Sequence, residues 1–167
     1  ASVTDLGATL VSLTVPASDG SIADVVLGHS SCKGYLKGEG FLGATVGRCA
    51  NRVKGASFSL NGTEYAMTPN ENANNLHSGP NCYHTRIWDV TEHTEDSITF
   101  ELKADEESKA IYPFDFTFRM KYTLDGATIK NEFTVFHDDS AFAELLSNCS
   151  LMSNEKKRYI VIFYYII

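Results

Sequence analysis

Apolar and polar residues alternate with period two through much of the chain. In "FDFTFRMKYTL" (114–124), Phe114, Phe116, Phe118, Met120, Tyr122 and Leu124 fall on one side. Asp115, Thr117, Arg119, Lys121 and Thr123 fall on the other. That pattern predicts a half-buried antiparallel strand. Asp125-Gly126 follows, and then "ATIKNEFTV" sets Ile129, Phe133 and Val135 against Lys130, Glu132 and Thr134. Asp-Gly between two alternating runs predicts a hairpin, because a type I′ turn needs positive φ at both central residues. A second hairpin is expected in "ASFSLNGTEYAM", with Asn61-Gly62 as its turn.

Further strands are expected at 8–16, 22–28, 86–93 and 97–104, with Gly, Asn, Asp and Ser between them. Helical spacing occurs only weakly, in "SAFAELLSN" (140–148). The whole reads as all-β, an antiparallel β-sandwich in one domain over 1–167. No internal repeat or low-complexity linker interrupts it. The segment 137–167 changes character as a divergent tail. There "EKKRYIVIFYYII" joins a basic cluster to an apolar run without Pro or Gly. Such a run is either a buried terminal strand or a segment of different design, and it is an aggregation hazard unless a sheet covers it.

Composition narrows the function classes. The 167 residues are 43% hydrophobic and 21% charged, enough apolar content for one domain with a core. A formal net charge of −7 supplies no electrostatic reason to bind nucleic acid or an anionic membrane. Cys32, Cys49, Cys82 and Cys149 form no CxxC pair. Their spacing fits neither a zinc site nor a thioredoxin-like motif and reads as free thiols in a reducing, cytoplasmic setting. The first residues lack the basic and apolar regions of a signal peptide. No apolar stretch is long enough to span a bilayer.

Two stretches invite a chemical reading. "GRCANRVKG" (47–55) is either a solvated basic loop or a place where Asn51 and Arg52 face a ligand. An amide beside a guanidinium suits vicinal hydroxyls, since it combines fixed donors with an acceptor. "NENANNLHSGP" (70–80) is either an Asn-rich turn or a setting for His77. A neutral imidazole there has one donor and one acceptor for a sugar hydroxyl or ring oxygen. His29, His84, His93 and His137 show no HxH or HExxH spacing, which speaks against a metal site. "ADEESKAIYP" (104–113) reads as a solvated acidic loop, and Trp88 as core rather than a sugar-stacking platform. GxSxG, P-loop and GxGxxG motifs are absent.

Taken in order, "DLGATLVSLTVPASDG", "DVVLGHSSCKGYL", "GATVGRCANRVKGASFSLNGTEY", "NNLHSGP" with "RIWDV", and "YTLDGATIKNEFTV" resemble the aldose 1-epimerase (galactose mutarotase) family over about residues 1–136. The resemblance implies a mutarotase-like β-sandwich, incomplete here, that binds an aldohexose such as galactose or glucose. It implies interconversion of α and β anomers by acid–base ring opening, with no metal or organic cofactor. It assigns Asn51, Arg52 and His77 to sugar binding and gives His77 a catalytic part near the ring oxygen.

The family's general base, a late glutamate, and a hydroxyl-binding aspartate are expected in a C-terminal half outside this chain. Its second histidine would align with Cys149 in "LSNCSLMSN", and a neutral thiol replaces an imidazolium poorly. Impaired catalysis is therefore one expectation. A non-catalytic carbohydrate-binding sandwich and a fragment without independent function are the alternatives. Uncovered sheet edges raise the prospect of self-association.

Overall fold

The computed structural model describes residues 1–37, 39–126, 128–137 and 158–166. Its main feature is an antiparallel sheet of five strands: β9 (Asp89–His93), β10 (Ser97–Lys103), β11 (Thr117–Asp125), β12 (Thr128–Phe136) and β13 (Arg158–Ile166). Their spatial order is β13-β12-β11-β10-β9. Four two-stranded ribbons accompany it. They pair β1 (Ser2–Thr4) with β2 (Thr9–Ser12), β3 (Thr14–Pro16) with β4 (Ile22–Asp24), β5 (Arg52–Val53) with β8 (Asn75–Leu76), and β6 (Ser57–Leu60) with β7 (Thr63–Ala66).

The period-two pattern explains the sheet. Phe100 and Leu102 of β10, Met120 and Tyr122 of β11 and Ile129 of β12 share one buried cluster with Phe116, Trp88, Tyr83, Leu13 and Ala8. Trp88 is a core residue at 1% exposure, and its Nε1–H donates to the Tyr83 carbonyl at 3.0 Å. The Tyr122 hydroxyl donates to the Ala8 carbonyl at 2.9 Å, tying the sheet to the β1–β2 ribbon. A second cluster joins Ala56, Leu60, Met67, Tyr112, Phe114 and Val135 beneath the β6–β7 hairpin. On the opposite face of β10, Glu101 is also buried. Burial works against its charge, but Arg119 at 2.5 Å and Lys103 at 3.0 Å outweigh it and hold the carboxyl below its ordinary value.

Both hairpins form. Asn61 and Gly62 sit at φ 50° and 77° between the paired residues Leu60 and Thr63. In the other, Asp125 is itself the last paired residue, opposite Thr128, and Gly126 follows at φ 57°. The strand therefore runs one residue farther than the Asp-Gly motif suggests.

Several expectations need correction. The 8–16 run is two strands, because Leu13 breaks away and its N–H is taken by the Asp24 carboxylate at 3.0 Å. In the 22–28 run only β4 forms, and Ile22, Val25 and Leu27 are exposed. The 86–93 strand starts at Asp89, and all five of its side chains are exposed. The acidic 104–113 stretch contains a short helix, α2 (Glu106–Ile111), after another short helix, α1 (Cys32–Lys37). Asp105 and Ser108 cap α2 reciprocally: Ser108 N–H donates to Asp105 Oδ1 at 2.8 Å, and Asp105 N–H donates to Ser108 Oγ at 2.9 Å.

The apolar tail is β13, which pairs with β12 from Thr128↔Ile166 to Phe136↔Arg158. The 140–148 helical segment and Cys149 lie outside the described residues. Among the described residues, no helix is long and apolar enough to cross a membrane.

Candidate functional site

The two motifs are brought face to face by the shortest ribbon in the molecule. In it Arg52 lies opposite Leu76 and Val53 opposite Asn75. Two backbone pairs are too few to hold loops of this length, and side chains supply the rest. Asn70 closes on Leu76 in both directions: Nδ2 donates to the carbonyl at 2.9 Å and Oδ1 accepts the N–H at 2.6 Å. Asn74 Oδ1 accepts from Gly55 N–H at 3.1 Å. Asn75, fully buried, donates to the Thr68 carbonyl at 2.8 Å. Ser78 Oγ accepts from Cys49 N–H at 2.7 Å. The asparagines of the motif thus stand in for missing strand partners.

His77 is held differently. Its backbone N–H donates to the Asn51 carbonyl at 3.0 Å. The Asn51 N–H donates in turn to His77 Nδ1 at 2.9 Å. An Nδ1 that accepts carries no proton, so the neutral ring is protonated at Nε2. The sequence allowed this imidazole one donor and one acceptor; the fold spends the acceptor on Asn51 and leaves the donor. Asn51, His77 and Ser78 adopt φ of 64°, 53° and 72°. Residues with side chains keep such conformations only where their surroundings over-determine them.

Arg52 adds the charge. Glu71 accepts from both Nε and Nη2 of Arg52 in a bidentate pair, while Nη1 donates to Asn51 Oδ1 at 3.2 Å. A guanidinium has five N–H donors, and this arrangement orients the remaining ones. The pair holds the Glu71 carboxyl below its ordinary value. Partial burial, followed by the nearby Arg52 cation, lowers the His77 pKa, so His77 is neutral at pH 7.

The structure therefore places Asn51, Arg52 and His77 together. It also shows three neighbours that sequence reasoning missed. Glu71 lay inside the quoted Asn-rich motif, and the unmatched Arg52 was the only hint of it. Phe41 packs edge-on against the His77 ring at 4.6 Å and against the His84 ring at 4.7 Å. His84 was set aside for want of metal-ligand spacing, yet it lies buried next to this site. Burial, then the neighbouring His77, lowers its pKa. Its Nδ1 touches the Cys82 sulfur at 2.6 Å, and burial pushes the Cys82 thiol up to about 11. Phe41 and His84 share no period with His77, so no pattern could have joined them. Among the described residues, no group of three His, Cys, Asp or Glu side chains is arranged to hold a metal ion.

This assembly of an exposed amide and guanidinium beside a donor-only imidazole can grip adjacent hydroxyls and donate a hydrogen bond to an oxygen between them. Similar proteins carry the same fold. The GalM/aldose epimerase homologue from C. elegans superposes with a TM-score of 0.76 at 34% identity, covering 81% of this chain and 42% of its own. Galactose 1-epimerase from Lactobacillus acidophilus shares the fold at a TM-score of 0.68 and 24% identity, over 82% of this chain and 40% of its own.

Among curated relatives, the aldose 1-epimerase of Escherichia coli K12 is 32% identical over 120 residues, 72% of this chain and 34% of its own. The galactose mutarotase of Mus musculus is 34% identical over 123 residues, 74% of this chain and 35% of its own. The chain thus spans about a third of the length of the curated relatives it matches. The family model for aldose 1-epimerase matches residues 1–147, and with the sandwich-type fold and the order of the motifs this places the chain in the aldose 1-epimerase family.

Proposed function

We propose that this chain supplies the first part of an aldose 1-epimerase sugar site, acting on an aldohexose such as galactose or glucose. The observation that carries the reading is the Asn51–Arg52–His77 cluster, in which Asn51 occupies His77 Nδ1 and the Nε2–H is left as the donor. In this reading Arg52, oriented by Glu71, and Asn51 hold hydroxyls. His77 donates to the ring oxygen as the C1–O5 bond lengthens, and a base removes the anomeric hydroxyl proton. The ring opens to the aldehyde, the carbonyl carbon rotates, and closure gives the other anomer. A neutral imidazole is a weak acid, so His77 steadies the departing ring oxygen by its hydrogen bond while a separate general acid or water supplies the proton that makes it a hydroxyl.

A second reading is sugar binding without turnover. It is favoured by one observation: the carboxylate beside His77 is Glu71, and Arg52 occupies both of its oxygens. Cys32, Cys49 and Cys82 are thiols rather than disulfide halves, which supports a reducing, cytoplasmic setting. The sheet borders β9 and β13 support self-association of the chain as it stands.

The deciding experiment is the decay of optical rotation of fresh α-galactose in the presence of this chain. A rate above buffer that disappears in His77→Gln supports mutarotation. A rate equal to buffer removes it, and the binding reading then rests on galactose-dependent shifts of the His77 ring signals that vanish in Arg52→Ala.

A further inference from the structure

The segment that carries Asn51 and Arg52 holds another arginine, Arg48, which is partly buried where Arg52 is exposed. Arg48 stands between two tethers: the Gly47 carbonyl accepts from Tyr83 N–H at 3.2 Å, and Cys49 N–H donates to Ser78 Oγ at 2.7 Å. Its guanidinium carbon lies 4.1 Å from the centre of the Phe116 ring and 4.4 Å from that of Tyr112. Nη1 donates to the Tyr112 carbonyl at 3.0 Å, and Tyr83 lines the same cleft. Ser78 lines this narrow cleft too, so the guanidinium sits just behind the residue that follows His77.

A cation withdrawn from water needs compensation. Here two aromatic faces and a neutral carbonyl oxygen supply it, and attraction to a ring face strengthens on desolvation. The geometry is directional. Cys49 and Val53 also pack on the second cluster, but apolar contact fixes no orientation. The bonds between the two motif loops join them to each other rather than to the sheet. Phe116 belongs to the central cluster and Tyr112 to the second, so Arg48 bolts the loop to both.

We propose that Arg48 is a positioning residue for the sugar site: its guanidinium, clasped between Tyr112 and Phe116, sets the 47–53 segment at the depth where Asn51 N–H meets His77 Nδ1. The proposal rests on the reading of Asn51, Arg52 and His77 as the sugar half-site. A merely structural arginine would lower stability and leave the Asn51–His77 bond intact in the folded fraction.

The test is the nitrogen–nitrogen coupling across that hydrogen bond in the sugar-free chain, between the Asn51 amide and His77 Nδ1. The coupling is expected in the parent chain and lost in folded Arg48→Met. Arg48→Lys is also expected to lose it, because lysine keeps the charge without the planar fork. If Arg48→Met does not fold, Arg48→Lys alone decides. Full coupling in either folded variant, or none in the parent, overturns the proposal. Galactose titration of the parent is read separately: failure to bind strikes the sugar reading, while the coupling result still judges Arg48.

Discussion

The five-stranded sheet and the β5–β8 loop pair both satisfy their backbone polar groups, by opposite means. Between β11 and β12 nine consecutive residues pair main chain to main chain, and the side chains are left to pack. Between β5 and β8 only two residues pair, and Asn70, Asn74, Asn75, His77 and Ser78 complete the bonding with side chains. The sheet is therefore sensitive to lost volume inside. The loops carry little volume, and each amide has an assigned partner.

The largest effect that would sharpen this contrast is in the core. Trp88→Ala should cost about 3–5 kcal/mol in urea denaturation, with the loop bonds lost only when the sheet unfolds. A loss below about 1 kcal/mol would remove the claim that Trp88 anchors the sheet. Next comes Asn75→Ala, which deletes a side chain at 0% exposure that holds the Thr68 carbonyl. It should cost about 1–3 kcal/mol and speed amide exchange in residues 68–78 while β10–β12 stay protected. Uniform exchange across both regions would erase the distinction drawn here.

A smaller change is expected from Glu71→Gln. Global stability should hardly move, because Arg52 is exposed and Glu71 only half-buried, whereas galactose affinity should fall several-fold as Arg52 loses its orientation. Affinity unchanged by Glu71→Gln would show that Arg52 needs no carboxylate to orient it. In the parent chain the Arg52 pair holds the Glu71 carboxyl below its ordinary value, so it is ionised at neutral pH and this contribution is lost only in acid.

The smallest effect is the titration of His77. Its folded pKa lies below the ordinary value, so between the two the unfolded chain holds more protons and stability rises with pH; above about 6.5 the contribution is flat. Proton NMR should show a His77 midpoint below the ordinary histidine value. An ordinary midpoint would mean that neither burial nor the Arg52 cation acts on the ring.

The same contrast explains what the sequence disclosed. Period two and two Gly-bearing turns located β6, β7, β10, β11 and β12 because backbone pairing leaves an alternating signature in the side chains. The tail pattern left open a terminal strand or a segment of different design, and residues 158–166 form β13 against β12. The runs at 8–16, 22–28 and 86–93 were overdrawn, since apolar residues such as Ile22 and Leu27 remain exposed and period alone does not say which face is covered. The α2 helix escaped because six residues show no helical period; its Asp105–Ser108 capping box was the available signal.

Asn51, Arg52 and His77 came from the family resemblance, since propensity alone made "NNLHSGP" a turn. It is a turn as well: Asn70, Asn74 and Asn75 build it, and it presents His77. Glu71 and His84 reach the site through tertiary packing, which leaves no mark at any fixed spacing.

The ring of Phe41 lies between His77 and His84, and each imidazole meets it edge-on. Seen as wiring, Phe41 is an insulator. It prevents the two rings from passing a proton directly or closing together on a soft cation, while their charges still sense each other across it. Protonating one makes protonating the other harder. Both rings titrate below the ordinary histidine value, so both are neutral at pH 7, and in acid a proton taken up by His77 opposes a second one on His84.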